Sequence, residues 1–245
     1  GDITLKTFLL DDIIWLGSQS NGLVNSQSNE KFYPNGPASD QIDNMKVIDG
    51  NTYAFYFPDP EEYDGSSLET EFSSFQSRTW GQQSLEGFPN VSDVASWNNQ
   101  LYFSSIGYGL YNSSGKNILD YTNDQLSDSK GNLGLLITSI SASEKLIASS
   151  FNNENPIFFL DSNEGIHTLS EGQVGTDLPK TASCLNDLIF INISEVAGGG
   201  FITYDLDNGN RKYFGIDDGL PGSSVRNIEL DFDENAWIST NNGIV

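Results

Sequence analysis

The chain has 245 residues, long enough for one large all-β domain or two smaller ones. Its 34 acidic against 11 basic residues give a formal charge of −23, which leaves no basic stripe for nucleic acid or an anionic membrane surface. Hydrophobic residues make up 37% and aromatics 12%, with 24 glycines; this suits many short strands joined by tight turns, and no stretch approaches the roughly twenty apolar residues of a membrane span.

In chain order the strand signals recur with a rhythm. ITLKTFLLDD (3–12) reads as a first strand and DIIWLGSQSNGL (12–23) as a second strand running into an Asn-Gly turn. The pattern returns as NTYAFYF (51–57), QLYFSSIGYGLY (100–111), KLIASSFNNENPIFFL (145–160), DLIFINISEVAGGGFITYDL (187–206) and NAWISTNNGI (235–244). The first and last copies match best, with Trp15 on Trp237, Gly17 on Ser239, Ser18 on Thr240, and Gly22 on Gly243 after one residue of slack. Taking Trp15, Tyr53, Tyr102, Ile147, Ile189 and Trp237 as equivalent gives a period of about forty-four residues, made only of strands and turns.

That period is what one four-stranded propeller blade requires. The fifth copy shows all four strands: TASCLN (181–186), DLIFINIS (187–194), GFITYDL (200–206) and RKYFGI (211–216), with DNGN (207–210) as a hairpin turn. The expected fold is an all-β propeller of antiparallel blades, about five complete and a partial sixth. Its boundaries are 3–37, 38–84, 91–124, 135–171, 181–217 and 225–245. The six aligned residues are expected on the second strand of each blade, buried against the next blade. Because the sixth copy ends with its third strand barely begun, the chain reads as a segment of a longer protein or as a ring closed by an incomplete blade. Any targeting segment is expected upstream of Gly1. The Pro- and acid-rich 57–84 is expected to protrude from the second blade as a loop.

Chemistry is sparse. The single cysteine, Cys184, excludes a disulfide framework and reads as a buried thiol. The only histidine, His167, has no second metal ligand nearby in sequence and no nucleophile elbow, so it reads as a surface or half-buried side chain without a catalytic partner. In DFDEN (231–235), Asp231, Asp233 and Asn235 have the spacing of a calcium loop. Ala236 stands where that loop needs Gly and Asn242 where it needs a carboxylate, so a hairpin turn is expected. Asp205, Asp207 and Asn208 read in the same way, and Gly198-Gly199-Gly200 as a flexible hairpin with no phosphate-loop lysine after it. No catalytic, cofactor-binding or metal residue is assigned, and the chain is expected to be non-enzymatic.

IDDGLPGSSVRNIELDFDENAWISTNNGIV (216–245) resembles the two-component regulator propeller repeat of bacteria. Asp218, Gly219, Leu220 and Pro221 match its opening, Val225 its inner strand, Asp231 and Asn235 its turn, and Trp237, Thr240, Asn242 and Gly243 its ending; Ser239 replaces the usual Gly. The degenerate middle copies, together with FYPNGPASDQI (32–42), are most similar to the propeller region of PorZ-type proteins of the type IX secretion system. That resemblance implies a non-enzymatic scaffold on the surface of a Gram-negative cell, whose complex cleaves the sorting signal of exported cargo and attaches the cargo to lipopolysaccharide. The implied partners are the other proteins of that complex, with lipopolysaccharide a weaker candidate against the negative charge. The alternative is the periplasmic ligand-sensing propeller of a hybrid two-component regulator, binding an oligosaccharide at its central opening.

Overall fold

The computed structural model describes residues 4–18, 23–32, 35–39, 42–56, 64, 72–83, 89–120, 134–163, 165–231, 233 and 235–245. Among them, short strands follow one another in antiparallel units. The first unit is β1 (Thr4–Leu10), β2 (Ile13–Ser18), β3 (Leu23–Asn25) and β4 (Lys31–Phe32). The second is β5 (Asn44–Ile48), β6 (Asn51–Phe55), β7 (Phe72–Gln76) and β8 (Thr79–Gln83). The third is β9 (Val91–Trp97), β10 (Gln100–Gly107), β11 (Gly109–Asn112) and β12 (Asn117–Leu119). The fourth is β13 (Leu135–Ala142), β14 (Leu146–Ser150), β15 (Ile157–Leu160) and β16 (Ile166–Leu169). The fifth is β17 (Pro179–Leu185), β18 (Leu188–Ile193), β19 (Phe201–Asp205) and β20 (Arg211–Phe214), and the sixth is β21 (Val225–Leu230), β22 (Ala236–Thr240) and β23 (Gly243–Ile244). Within a unit each strand pairs with the next; Ile106 and Leu136 pair across β10 and β13 and join the third and fourth units into one eight-stranded sheet.

Local chemistry makes the hairpins. Asp11 and Asp12, Asp49 and Gly50, Ser77 and Arg78, and Asn98 and Asn99 each supply two successive residues with positive φ, the twist that a two-residue antiparallel turn needs. A second device recurs where the turn is longer. Asp161 accepts from the backbone N–H of Asn163 (2.8 Å) and Gly165 (3.0 Å), and bonds His167 Nε2 (2.8 Å). Asp231 does the same with Asp233 N–H (2.9 Å), Asn235 N–H (2.9 Å) and the Trp237 indole N–H (2.8 Å). One carboxylate satisfies a turn that would otherwise leave amides open.

Packing lies between units. On β10, Tyr102 packs with Trp97, Leu146, Ala148 and Phe158 toward the fourth unit, while its neighbour Phe103 packs with Tyr53, Phe72 and Val94 toward the second. Adjacent residues of one strand therefore serve opposite interfaces, which explains the near-continuous apolar runs. Burying a side chain such as Ile147 or Phe158, both fully inaccessible, contributes about 1.5–3 kcal/mol.

All six aligned residues stand on the second strand of their units. Tyr53, Tyr102, Ile147 and Ile189 are buried, whereas Trp15 is half-buried against Phe32 and Trp237 is 54% exposed, its indole spent on Asp231. The expected burial of Trp237 is thus corrected. The alignment is also one residue out in the fifth unit. Counting from the register break, Ser183 pairs Phe190 as Ser141 pairs Ile147, so Phe190 holds the equivalent place. Ile189 instead faces back to the fourth unit with Ile147 and Ile157.

The expected loop at 57–84 is only partly in view. Residues 57–63 and 65–71 lie outside the described residues, and 72–83 form the β7–β8 hairpin instead of loop. Residues 35–38 dock on this unit: Asn35 exchanges two hydrogen bonds with the Trp80 backbone (2.7 and 3.1 Å), and Ala38 N–H donates to Ser73 Oγ (3.0 Å).

Candidate functional site: an axial funnel

The first strands of the second to sixth units converge on a funnel of about 480 Å³. A register break places its lining. In β9, Val91 pairs Ser105 and Asp93 pairs Ser104, leaving Ser92 as the extra residue of a β-bulge. Thr138 in β13, Lys180 in β17 and Arg226 in β21 occupy the same position, and all four line the funnel. A bulge turns one side chain out of the sheet's alternation, so here it aims a residue at the axis without taking one from either packed face.

A set of small hydroxyls, Ser92 of this lining among them, ties the units together. Ser92 Oγ donates to Ile137 O (2.9 Å), Ser139 Oγ accepts from Ala182 N–H (2.7 Å), and Ser183 Oγ donates to Ile228 O (2.9 Å). Each bond crosses from one unit to the next and satisfies a buried backbone group that the single free edge of an inner strand would leave open. Asn192 makes the corresponding link to Val225 O (3.0 Å), though its own amide oxygen is buried without a partner.

Asp93 reinforces these links. The residue is fully buried; one carboxylate oxygen accepts Val94 N–H (2.8 Å) and the other Ile140 N–H (3.0 Å), with the Lys46 ammonium 3.5 Å away. Lys46 also donates to Ile140 O (3.3 Å), so three successive units meet at one ion pair. Burial pushes the Asp93 pKa up, against Lys46 and the two amides, which pull it down.

The funnel's charges are mixed: Lys180 and Arg226 stand at neighbouring bulges, with Asp43 and Glu195 also on the wall. A second hollow of about 380 Å³ lies off the axis, between Thr176 and Tyr213. Arg211 beside it is engaged with the carbonyls of Gly172 (3.1 Å) and Gln173 (3.3 Å).

The residues singled out in the sequence lie apart from the funnel. Cys184 is buried, its thiol near the hydroxyls of Ser141 (3.6 Å) and Ser143 (3.4 Å), and burial pushes its pKa up. His167, expected without a catalytic partner, has Asp161 at 2.8 Å and stacks on Phe159 at 4.8 Å. That pair is a hairpin brace: the same carboxylate caps its own turn. Asp231, Asp233 and Asn235 form a turn, as do Asp205 and Asp207. Among the described residues no group of three or more His, Cys, Asp or Glu side chains is placed to hold a metal ion. Gly198, Gly199 and Gly200 all have positive φ after a 3-10 turn at Glu195–Ala197; a Cβ on Gly199 would lie 2.4 Å from Ser223 O, so the triplet is a close contact with the sixth unit and not a loose hairpin. The bulge residues themselves escaped the sequence reading, for a bulge leaves no residue signature.

No protein-family model matches the chain, and no curated protein matches it in sequence. Solved structures do match. PorZ of Porphyromonas gingivalis, described as an essential bacterial surface component of the type-IX secretion system, aligns at a TM-score of 0.62 and 13% identity, over 98% of this chain and 38% of that one. The extracellular domain of the one component system BT4673 of B. thetaiotaomicron aligns at 0.59 and 14%, over 97% and 31%. Virginiamycin B lyase of Staphylococcus aureus aligns at 0.54 and 12%, over 100% and 86%. The chain thus spans about a third of the length of the first two. At such identities the likeness establishes the fold: an all-β molecule of antiparallel sheets whose structural neighbours are β-propellers. Two of these neighbours are extracellular or surface domains, and among the described residues no helix is long and apolar enough to cross a membrane.

Proposed function

We propose that the chain is a non-enzymatic interaction scaffold in a cell-surface attachment complex of the type IX secretion kind. The observation that carries this reading is the likeness to PorZ over nearly the whole chain. The architecture is in keeping with it: both faces of the inner strands are packed and the seams between units are hydrogen-bonded, a rigid body suited to presenting surface to partners. The partners would be the other proteins of the complex, including its peptidase. A chain of charge −23 is a poor match for anionic lipopolysaccharide. The test is deletion of the protein in its own bacterium. The reading expects exported cargo to lose its cell-surface attachment and keep its uncleaved sorting signal; normal processing and attachment of cargo would overturn it.

The funnel favours a second reading, a ligand-sensing propeller of a two-component regulator. Under that reading deletion leaves cargo processing intact and abolishes a sugar-dependent transcriptional response.

A further inference from the structure

Each unit ends in an outer strand whose far side offers backbone N–H and C=O groups to any other extended chain. Most of these strands carry a visible safeguard. β4 and β23 are two residues long and β12 three, while β16 carries His167 and β20 carries Arg211 and Lys212. β8 has neither. It runs for five residues, Thr-Trp-Gly-Gln-Gln (79–83), with no charge and no proline in a chain where 18% of residues are charged, and all but Trp80 are exposed. Gln76 and Thr79 pair across the two-residue turn, so the backbone groups of Trp80 and Gln82 face away from β7. Asn35 meets that side: its Oδ1 accepts the Trp80 N–H (2.7 Å) and its Nδ2 donates to the Trp80 carbonyl (3.1 Å). An Asn amide offers a donor and an acceptor side by side, as a neighbouring strand does. Three residues on, Ala38 N–H donates to the hydroxyls of Tyr56 (2.9 Å) and Ser73 (3.0 Å), so the segment is tied at both ends.

We propose that Asn35 is a plug on the β8 edge and that the surface it covers is a self-pairing strand: with the plug out, β8 pairs antiparallel with β8 of a second copy, about Gly81. The strand is its own complement in that register. Trp80 of one copy meets Gln82 of the other, and these outward-facing residues exchange both backbone hydrogen bonds. Gly81 then faces Gly81 on the two-fold axis as a non-hydrogen-bonded pair, where Cα atoms approach to about 4.5 Å and no side chain crowds the contact. No like charges are set opposite one another, because the strand carries none. The contact is isologous and closes at a dimer. Asn35 spends both its bonds on Trp80, one of the groups the second copy would use, so the plug sets the concentration at which copies pair. The inference depends on neither reading of the protein's biological role.

The experiment is sedimentation velocity of the chain over about a hundredfold range of concentration in roughly 0.3 M salt, which screens the repulsion between two chains of charge −23. Asn35→Ala should dimerise with an association constant about tenfold or more above that of the wild type, the worth of the two competing bonds. Ala38→Pro removes the donor at the other end of the segment without touching Asn35, and should shift the equilibrium the same way; it replaces Asn35→Ala in every arm if thermal melts show that variant unfolded. Gly81→Lys added to Asn35→Ala should restore the monomer, because it sets two ammonium groups opposite each other at the axis. A Cβ on Gly81 meets only the Gln83 side chain, at 3.7 Å, so the strand itself tolerates the change. Gly81→Cys added to Asn35→Ala should form an intermolecular disulfide on air oxidation, a gain that misfolding does not imitate; Cys184 is buried and does not compete. A plug-released variant as monomeric as the wild type, association that Gly81→Lys leaves intact, or no disulfide at position 81 would each overturn the assignment.

Discussion

Replacing Asp93 with Ala removes the acceptor of two backbone amides and the counter-charge of Lys46 in a single step. The carboxylate is fully buried, and the Lys46 side chain is 24% exposed. Breaking such a pair from one side leaves an uncompensated charge and unsatisfied N–H groups, a cost of about 3–5 kcal/mol. For a chain of this size that corresponds to a fall in melting temperature of roughly 6–20 °C. Asp93→Asn keeps the shape and one acceptor and should lose less. Lys46→Met should lose least, because the carboxyl left behind can take up a proton. The pH dependence has a definite sign. Burial raises the Asp93 pKa above the ordinary 3.8, so the folded state holds the proton more tightly than the unfolded chain. The contribution of this group is therefore complete below about pH 4 and is lost as pH rises through the folded value. Asn imitates the protonated form, so the wild type should lose ground against Asp93→Asn as pH climbs from 4 to 7. Differential scanning calorimetry of the three variants at pH 4 and 7 measures both effects. A drop below about 2 °C in Asp93→Ala, or Lys46→Met falling as far as Asp93→Ala, would refute the clamp.

Three further outcomes are expected. The Asp231 pKa, drawn down to about 2 first by the Trp237 indole and then by Asn235, should rise in Trp237→Phe, read by carbon NMR of the carboxyl; its stabilising effect is present above the unfolded value and lost as pH falls through about 2. Gly199→Ala combines φ +71 with a Cβ 2.4 Å from Ser223 O, whereas Gly219→Ala at φ +105 meets nothing within 4 Å; chemical denaturation should show the first losing clearly more than the backbone strain of about 1–3 kcal/mol that bounds the second. Cys184, buried with its thiol pKa raised, should resist a thiol reagent in the native protein and react fully in denaturant; rapid native labelling would contradict its position.

What could be read from the sequence was the period and the strand order within it, because Asp, Asn and Gly mark turns for local reasons that need no tertiary partner. Trp15, Tyr53, Tyr102, Ile147 and Trp237 share one register through that punctuation alone. Ile189 was misplaced because DLIFINIS is apolar on both faces, and alternation carries no information when both faces are buried. Asp93 gave no sign of its burial: in a chain with 34 acids, one that leaves the surface looks like the rest until its amide donors are seen. A central opening is expected from the resemblance, but its lining residues carry no mark in the sequence, for a related reason. Lys180 and Arg226 are separated by a whole repeat, and only the matching register breaks show that they stand at the same point of neighbouring units.

The inner-strand bulge also separates two kinds of selection. At Lys180 and Arg226 the extra residue stands outside the strand register, while pairs two residues further on, Ala182 with Ile191 and Ile228 with Ile238, carry apolar contacts. Substitutions at these two bulges can therefore accumulate without passing through poorly folded intermediates, whereas Ser92, at the same position of the third unit, is held by its bond to Ile137 O. Descendants of one such chain could diverge widely in what they hold at the centre while remaining superimposable everywhere else.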